Sequence, residues 1–311
     1  MSELLSATFL TALVSGAILA GLPLLFAGLG ELVGEQSGIL GIGMEGYMLL
    51  GAYAGFNGAL YGGSPWVGML CGVVAGLAIG SVVMLLSVRL GLDQVVVGIG
   101  VILLGEGLTS LLHAVQFGAS YPRLGEMNDL PIPLLSRIPV LGESVFSQPL
   151  IFWAGIALVF MVRWMLRSTR WGLDLRAAGE KPRALDAAGV SVIAVRSWAV
   201  LVSGALGGLG GAYLAVVSAG VFVAYMTNGL GFIAIVVAML ARGRPGWVLG
   251  GSLIFGLCLS VATALQVIGV DVPTDIVYML PFLAVMVALA AFARRSYLPA
   301  ALGVPYGRGE R

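Results

Sequence analysis

Charge is what this sequence has least of. Asp, Glu, Lys and Arg make up 10% of 311 residues, where a soluble domain carries about 25%. There is one histidine, His113, and one lysine, Lys181. With two cysteines, Cys71 and Cys258, no His/Cys cluster can hold a structural zinc and no disulfide framework exists. Both cysteines sit in apolar runs and read as buried thiols. The lone lysine lies in Gly179-Glu180-Lys181-Pro182, which is not the Gly-Lys-Ser/Thr of a phosphate loop, so the chain has no ATP site of that type. No nucleophile–base constellation stands out. A formal net charge of +1 without a basic stripe leaves no electrostatic footprint for nucleic acid.

What is present is apolar. The residues AVILMFWYC account for 59% of the chain, and mean hydropathy is +1.04. A membrane-spanning helix needs about 20 apolar residues, and apolar runs fall at 7–28, 38–61, 66–88, 95–116, 150–166, 197–220, 226–241, 246–268 and 277–294. This pattern predicts an all-α polytopic membrane bundle of about 8–10 transmembrane helices, organised as a single domain over 1–311. Its 47 glycines would weaken soluble helices, but in lipid small residues let helices approach closely. Gly72-x-x-x-Gly76-x-x-x-Gly80 and Gly207-x-x-x-Gly211 are two such seams.

Basic residues give an orientation. Alternating nine spans puts Arg89, Arg163, Arg167, Arg170, Arg176, Lys181, Arg183, Arg196, Arg242, Arg244, Arg294, Arg295, Arg308 and Arg311 on one side, the cytoplasm. The N-terminus is then outside and the C-terminus inside; a broken helix within 30–61 would flip the N-terminus. Residues 118–149, with five prolines among apolar residues, form an external segment that is a lid over the mouth of the bundle, a docking site for a partner, or a plain connecting loop. Residues 167–196 are cytoplasmic. Pro182 suits a first helical turn and Gly189 a helical stop, which predicts a short helix there. It either fits a groove on a soluble partner or lies on the headgroups.

Gly41-Ile42-Gly43-Met44-Glu45-Gly46 matches G-x-G-x-x-G, but the next acid after Glu45 is Asp93, so a dinucleotide fold is excluded. The glycines instead mark a breakable helix, as in discontinuous helices that bind solute within the membrane. Glu45 and Glu106 read as the acids deep inside spans, where a carboxylate costs about 2.5–3.5 kcal/mol on insertion scales. Each either contacts a polar solute or serves as a structural cap. Asn57, Asn228, Gln116 and Gln266 are further polar candidates. Tyr47, Tyr225 and Phe232 are candidates for stacking on a planar ring, with packing as the alternative. The candidate substrate path is therefore Glu45, Tyr47, Asn57, Glu106, Asn228 and Phe232.

Several stretches together resemble the permease subunits of ABC importers, closest to the nucleoside and simple-sugar branch of the superfamily that includes ribose and branched-chain amino acid permeases. Gly34-Glu35-Gln36-Ser37-Gly38 through Gly43-Met44-Glu45-Gly46-Tyr47-Met48-Leu49-Leu50-Gly51-Ala52 is similar to the pattern ERxGxxNxGxEGxMLxGA, with Gln36 for Arg and Gly41 for Asn. Leu175-Arg176-Ala177-Ala178-Gly179-Glu180-Lys181-Pro182-Arg183-Ala184 through Gly189 is similar to RAxGxNPxAAxxAG, and Gly229-Leu230-Gly231-Phe232 with Arg244-Pro245 matches a third segment. The resemblance implies a multi-pass permease in the cytoplasmic membrane, without cofactor or enzymatic activity of its own. It implies as partners a cytoplasmic ABC ATPase, a second permease (identical or a paralogue) and an external substrate-binding protein or lipoprotein. It places the ATPase contact at Glu180, Arg183, Ala184, Leu185, Ala188 and Gly189. Nucleosides are the expected solute, simple sugars the alternative; an autonomous secondary transporter would need paired ion-coupling acids that the sequence does not display.

Overall fold

The computed structural model describes residues 7–118, 120–125, 127, 141–267, 274–292 and 298–307, and the elements it builds from them are helices. α1 covers Ala7–Gln36, 30 residues, and its length of roughly 45 Å exceeds the roughly 30 Å hydrocarbon core of a bilayer. A turn at 37–43 leads to α2 (Met44–Gly62). α3 (Pro65–Val83) opens on a proline, which needs no N–H there, and ends in a π-helical turn at Met84–Arg89. α4 (Gln94–Phe117) is capped by Asp93, whose carboxylate accepts from the Val95 and Val96 amides at 2.8 and 3.0 Å. α5 (Leu141–Val145) and α6 (Leu150–Ser168) follow. Next come α7 (Arg170–Glu180), α8 (Pro182–Ala187) and the long α9 (Val192–Tyr213), which closes in a π-helical turn at Leu214–Ser218. α10 (Leu230–Ala241), α11 (Pro245–Val267) and α12 (Thr274–Phe292) complete the order.

Among the described residues, five stretches are long and apolar enough to cross a membrane: Phe9–Gln36, Pro65–Arg89, Gln94–Phe117, Leu150–Ser168 and Val192–Ser218. The chain is a multi-pass membrane protein. α1 and α9 are central. α2, α3 and α9 all pack on one another, while α1 packs on α9, α10 and α11. The two glycine seams expected from the sequence both pack here, but on different partners: Gly72 and Gly76 meet Gly204 and Gly208 of α9, backbone on backbone, while Gly207 and Gly211 face Met44, Tyr47 and Met48 of α2. A Cβ on Gly76 would collide with the Gly204 carbonyl, one on Gly208 with the Gly72 carbonyl, and one on Gly211 with the Met48 carbonyl. Outward faces of α3 and α4 expose Leu70, Val74, Val96, Leu103, Leu111 and Val115, which suits lipid rather than water.

Three boundaries differ from expectation. The first span continues to Gln36 instead of stopping near 28, because Leu29, Leu32 and Val33 carry the buried face through residues that read as polar punctuation. The region 30–61 is thus one helix end, a turn and a second helix. The run at 226–241 is helical only from Leu230, and residues 224–229 form turns. The short helix begins at Pro182 as the sequence implies, and Gly189 turns the chain at φ +86°. Of the segment 118–149, residues 119, 126 and 128–140 lie outside the described residues. Its flanks touch the bundle: the Leu124 amide donates to the Gly220 carbonyl at 2.8 Å, and the Ser144 hydroxyl to the Thr11 carbonyl at 3.3 Å.

Gly208→Leu should destabilise the solubilised protein by at least about 1–3 kcal/mol, since a side chain there overpacks a backbone contact. Gly107, with nothing within 4 Å of its Cβ position, is the control. Gly107→Ala should leave stability equal or up to about 1 kcal/mol higher through helix propensity. Thermal unfolding followed by circular dichroism reads both.

Candidate functional site

Arg89, Arg167, Arg176, Lys181, Arg242 and Arg244 belong to turns and helix ends at one pole of the bundle, called here the arginine end. α1 ends there and the chain doubles back: Gly34–Ile39 closes the turn, and Gly41 has already climbed to the level of Glu31, whose carboxylate accepts the Gly41 amide at 3.0 Å. α2 therefore starts inside the membrane depth. Gly46, in its first turn, packs against Val101, which lies seven residues into α4, roughly 10 Å along that helix.

A second break faces the first. Gly220 is paired with Leu124 at the opposite end, yet nine residues later the Gly229 amide donates to Glu45 Oε1 at 2.8 Å and the Gly231 amide to Glu45 Oε2 at 2.6 Å. The first amides of a helix have no partner within it, and its N-terminus favours a carboxylate. Glu45, 4% exposed, thus accepts both amides at the start of α10, the arrangement of a structural cap. Gly231 is required for the approach: a Cβ there would meet the Glu45 backbone and its Oε2 at 2.7 Å.

Residues 219–229 thus pass through membrane depth without regular structure, with Tyr225 and Asn228 at φ +62° and +41°. Val223, Tyr225, Asn228 and, one turn into α10, Phe232 are exposed. Irregular backbone at membrane depth is tolerated only against protein or water. This face therefore lines an aqueous space or a protein partner, not lipid. Toward the opposite end, Phe222 lies edge-on to Tyr53 at 5.2 Å. Tyr53 begins a polar network: its hydroxyl donates to Gln116 Oε1, while Gln116 Nε2 donates to Asn57 Oδ1 at 2.8 Å and to the Tyr61 hydroxyl at 2.9 Å. His113 stacks on Tyr121 at 5.3 Å beside Phe117 and Phe222.

Of the six residues expected along a path, Asn57, Asn228 and Phe232 are accessible on or near this face. Glu45 is buried as a cap. Tyr47 is 2% exposed, packed on Gly207. Glu106 is half-buried on α4 and makes no hydrogen bond to the other five. The sequence reading also passed over two acids. Glu31 and Glu35 are fully buried near the end of α1, and the Glu31 carboxylate occupies the space a side chain at position 41 would need. Their spacing of four residues inside a Gly/Leu-rich run was the available signal.

At the arginine end, α7, α8 and residues 242–244 enclose a groove of about 820 Å³, bordered by Gln36, Asp174, Glu180, Lys181, Ala184 and Ala188. Leu185 anchors α8 in the core, whereas Ala184, Ala188, Arg183 and Gly189 are exposed. Beneath lies Arg196, 2% exposed, which the sequence offered only as one more positive charge. Its guanidinium donates to the carbonyls of Ser37 (3.1 Å), Val304 (2.7 Å), Ala178 (3.3 Å) and Ala301 (3.4 Å). The Ala301 amide donates to the Gly179 carbonyl at 2.8 Å and the Gly303 amide to the Gly38 carbonyl at 3.0 Å. Residues 298–307 are so stitched between the end of α7 and the α1–α2 turn.

Residues 13–290 match the family model described as branched-chain amino acid transport system / permease component. The chain is 32% identical to the guanosine ABC transporter permease protein NupQ of Bacillus subtilis, over 97% of this chain and 98% of that protein. It is 33% identical to the nucleoside ABC transporter permease protein NupC of Lactococcus lactis, over 94% and 96%. It is 34% identical to the putative glucose ABC transporter permease protein TsgC13 of Haloferax volcanii, over 80% and 76%.

Glu45→Ala should leave two α10 amides unpaired at a cost of about 1–3 kcal/mol per buried group. Hydrogen exchange at Gly231 should then accelerate while amides in the middle of α9 keep their protection. Unchanged exchange at Gly231 would show that the cap contributes nothing to α10.

Proposed function

Because the chain belongs to the family of permease components typified by branched-chain amino acid transport systems, and is accordingly a transport subunit of an ABC system rather than an enzyme, we propose that it moves nucleosides across the cytoplasmic membrane as half of a permease pair. The transport reading rests on one observation above the rest: residues 219–229 and the start of α10 present Tyr225, Asn228 and Phe232 from an irregular strand of chain at membrane depth. Polar and aromatic side chains held there against water suit a planar, polar solute. The nucleoside assignment is supported by relatives named for guanosine and nucleoside transport that align along nearly their whole lengths. A simple sugar is the second reading, favoured by the relative named for glucose.

In this account the arginine end faces the cytoplasm, in keeping with the bias of basic residues in loops. An ABC ATPase seats in the groove beside α8, touching Ala184 and Ala188, with Glu180 and Arg183 at its margin; Leu185 holds α8 to the bundle. An external binding protein delivers solute at the opposite end, near the Tyr53–Asn57–Tyr61–Gln116 network. Nucleotide binding by the ATPases favours one arrangement of the paired permeases, and only such differential binding can shift the bundle between states.

Vesicles containing the permease pair, its ATPase and its binding protein should take up labelled guanosine only with internal ATP. Excess unlabelled nucleoside should compete and glucose should not. Uptake without the ATPase would refute the ABC reading, and competition by glucose alone would select the sugar. Ala184→Asp should lower uptake at least about tenfold, because an unpaired carboxylate in an apolar contact costs more than about 1.4 kcal/mol. The complex should still fold, since Ala184 is exposed. Full uptake by this variant would remove α8 from the coupling contact.

A further inference from the structure

We propose that the cleft between α10, α11 and α12 at the arginine end is a binding site for an anionic phospholipid, with one acyl chain in the cleft and the phosphate held by Arg242 and Arg244. The cleft encloses about 350 Å³ and is overwhelmingly apolar, walled by Ile254, Phe255 and Ala284. This is the size of a small-ligand pocket. Its charged lining is two arginines, Arg242, half-buried, and Arg244, exposed. Arg242 and Gly243 adopt left-handed conformations, φ +52° and +68°, and turn the chain sharply so that Arg242 and Arg244 border the same opening. Trp247, in the first turn of α11, also borders the cleft and is 64% exposed, as Trp at a membrane–water boundary commonly is.

The occupant follows from charge and depth together. An apolar cleft flanked by an exposed Trp and Ile254, 62% exposed, opens onto acyl chains. Two guanidinium groups at its rim match a phosphate in geometry as well as charge. Basic pockets between transmembrane helices on the positively charged side are suited to anionic headgroups. A zwitterionic lipid would fill the apolar part equally but leave both arginines without a net negative partner. Neither the transported solute nor the ATPase enters the argument. Since Arg242 and Arg244 also border the groove beside α8, a lipid held here sits directly against the coupling surface.

The test uses the full chain in nanodiscs of phosphatidylcholine containing phosphatidylglycerol, followed by stepwise delipidation and native mass spectrometry. Phosphatidylglycerol should be retained preferentially. The double substitution Arg242→Gln/Arg244→Gln should reduce that preference by roughly tenfold or more, given the attraction of two arginines for an anionic surface. Ala284→Phe, which fills the apolar part, should reduce retention of the lipid without needing either arginine. Arg89→Gln, at the same end but outside the cleft, is the control and should retain lipid as wild type does. Equal retention of both lipids, or undiminished preference in the double variant, would overturn the site. So would a disulfide between Ile254→Cys residues of two copies in cell membranes, because the cleft would then be covered by a second chain. None of these readouts depends on uptake, so the site can fail while the transport function stands, and the reverse.

Discussion

The contact on which the rest of this bundle depends is that of carbonyl against glycine along α9. With Gly204, Gly208 and Gly211 facing Gly76, Gly72 and the Met48 carbonyl, three helices approach more closely than any side chain would allow. In lipid no hydrophobic difference drives helices together, so close packing must supply the association. The seam locks α2, α3 and α9 into one three-helix cluster and so sets where the start of α2 falls. That position brings Glu45 against the Gly229–Gly231 turn. The same rule operates a second time at Gly231, where the missing Cβ admits the Glu45 backbone. Glycine frequency, which looks like a liability by soluble-protein standards, is the means by which two helix breaks are held face to face.

The breaks create the polar requirements of the interior. An α10 that starts within the membrane exposes amides that lipid cannot satisfy, and Glu45 satisfies two of them. The turn at 37–43 makes a similar demand, met for Gly41 by Glu31 and for Leu40 by Gln94, whose Oε1 accepts that amide at 2.8 Å. Arg196 solves the inverse problem, a surplus of carbonyls at helix and turn ends, with the five donors of one guanidinium. Glu31 and Glu45 bind amides and Arg196 binds carbonyls. These three buried charges therefore serve the backbone.

Much of this was legible in the residues. Composition and run lengths gave the helical membrane class, the glycine spacing marked two seams that do pack, and Pro182 with Gly189 bracketed α8. The misses share one cause, which is dependence on partners far away in the chain. Arg196 reaches acceptors 159 and 108 positions distant, and no local pattern announces them. The late start of α10 is another instance. The run read at 226–241 is interrupted by Thr227-Asn228-Gly229, and Tyr225 and Asn228 take left-handed conformations, which local preference gives no reason to expect of a tyrosine. Asn228, which tolerates the left-handed region, with Gly229 and Gly231 was the local hint. Tyr47, an aromatic whose place in a motif invites a role in binding, is buried against Gly207.

The residues under α8 also set how a push at the groove would travel within the proposed function. α8 is tied to the bundle through Leu185, and the end of α7 is bonded through Ala178 and Gly179 to Arg196 and to residues 298–307. Arg196 and Gly303 in turn hold Ser37 and Gly38, the turn that leads into α2. From α2, Glu45 grips α10 at the edge of the exposed face. Each link is a hydrogen bond or a packed side chain. Such contiguity is a physical route, although only a two-state element biased at both ends turns a route into coupling. The α1–α2 turn is the best placed element for that part. It is short, it turns on a left-handed glycine at Gly38, φ +89°, and among the described residues it is where the groove, residues 298–307 and the capped helix break meet.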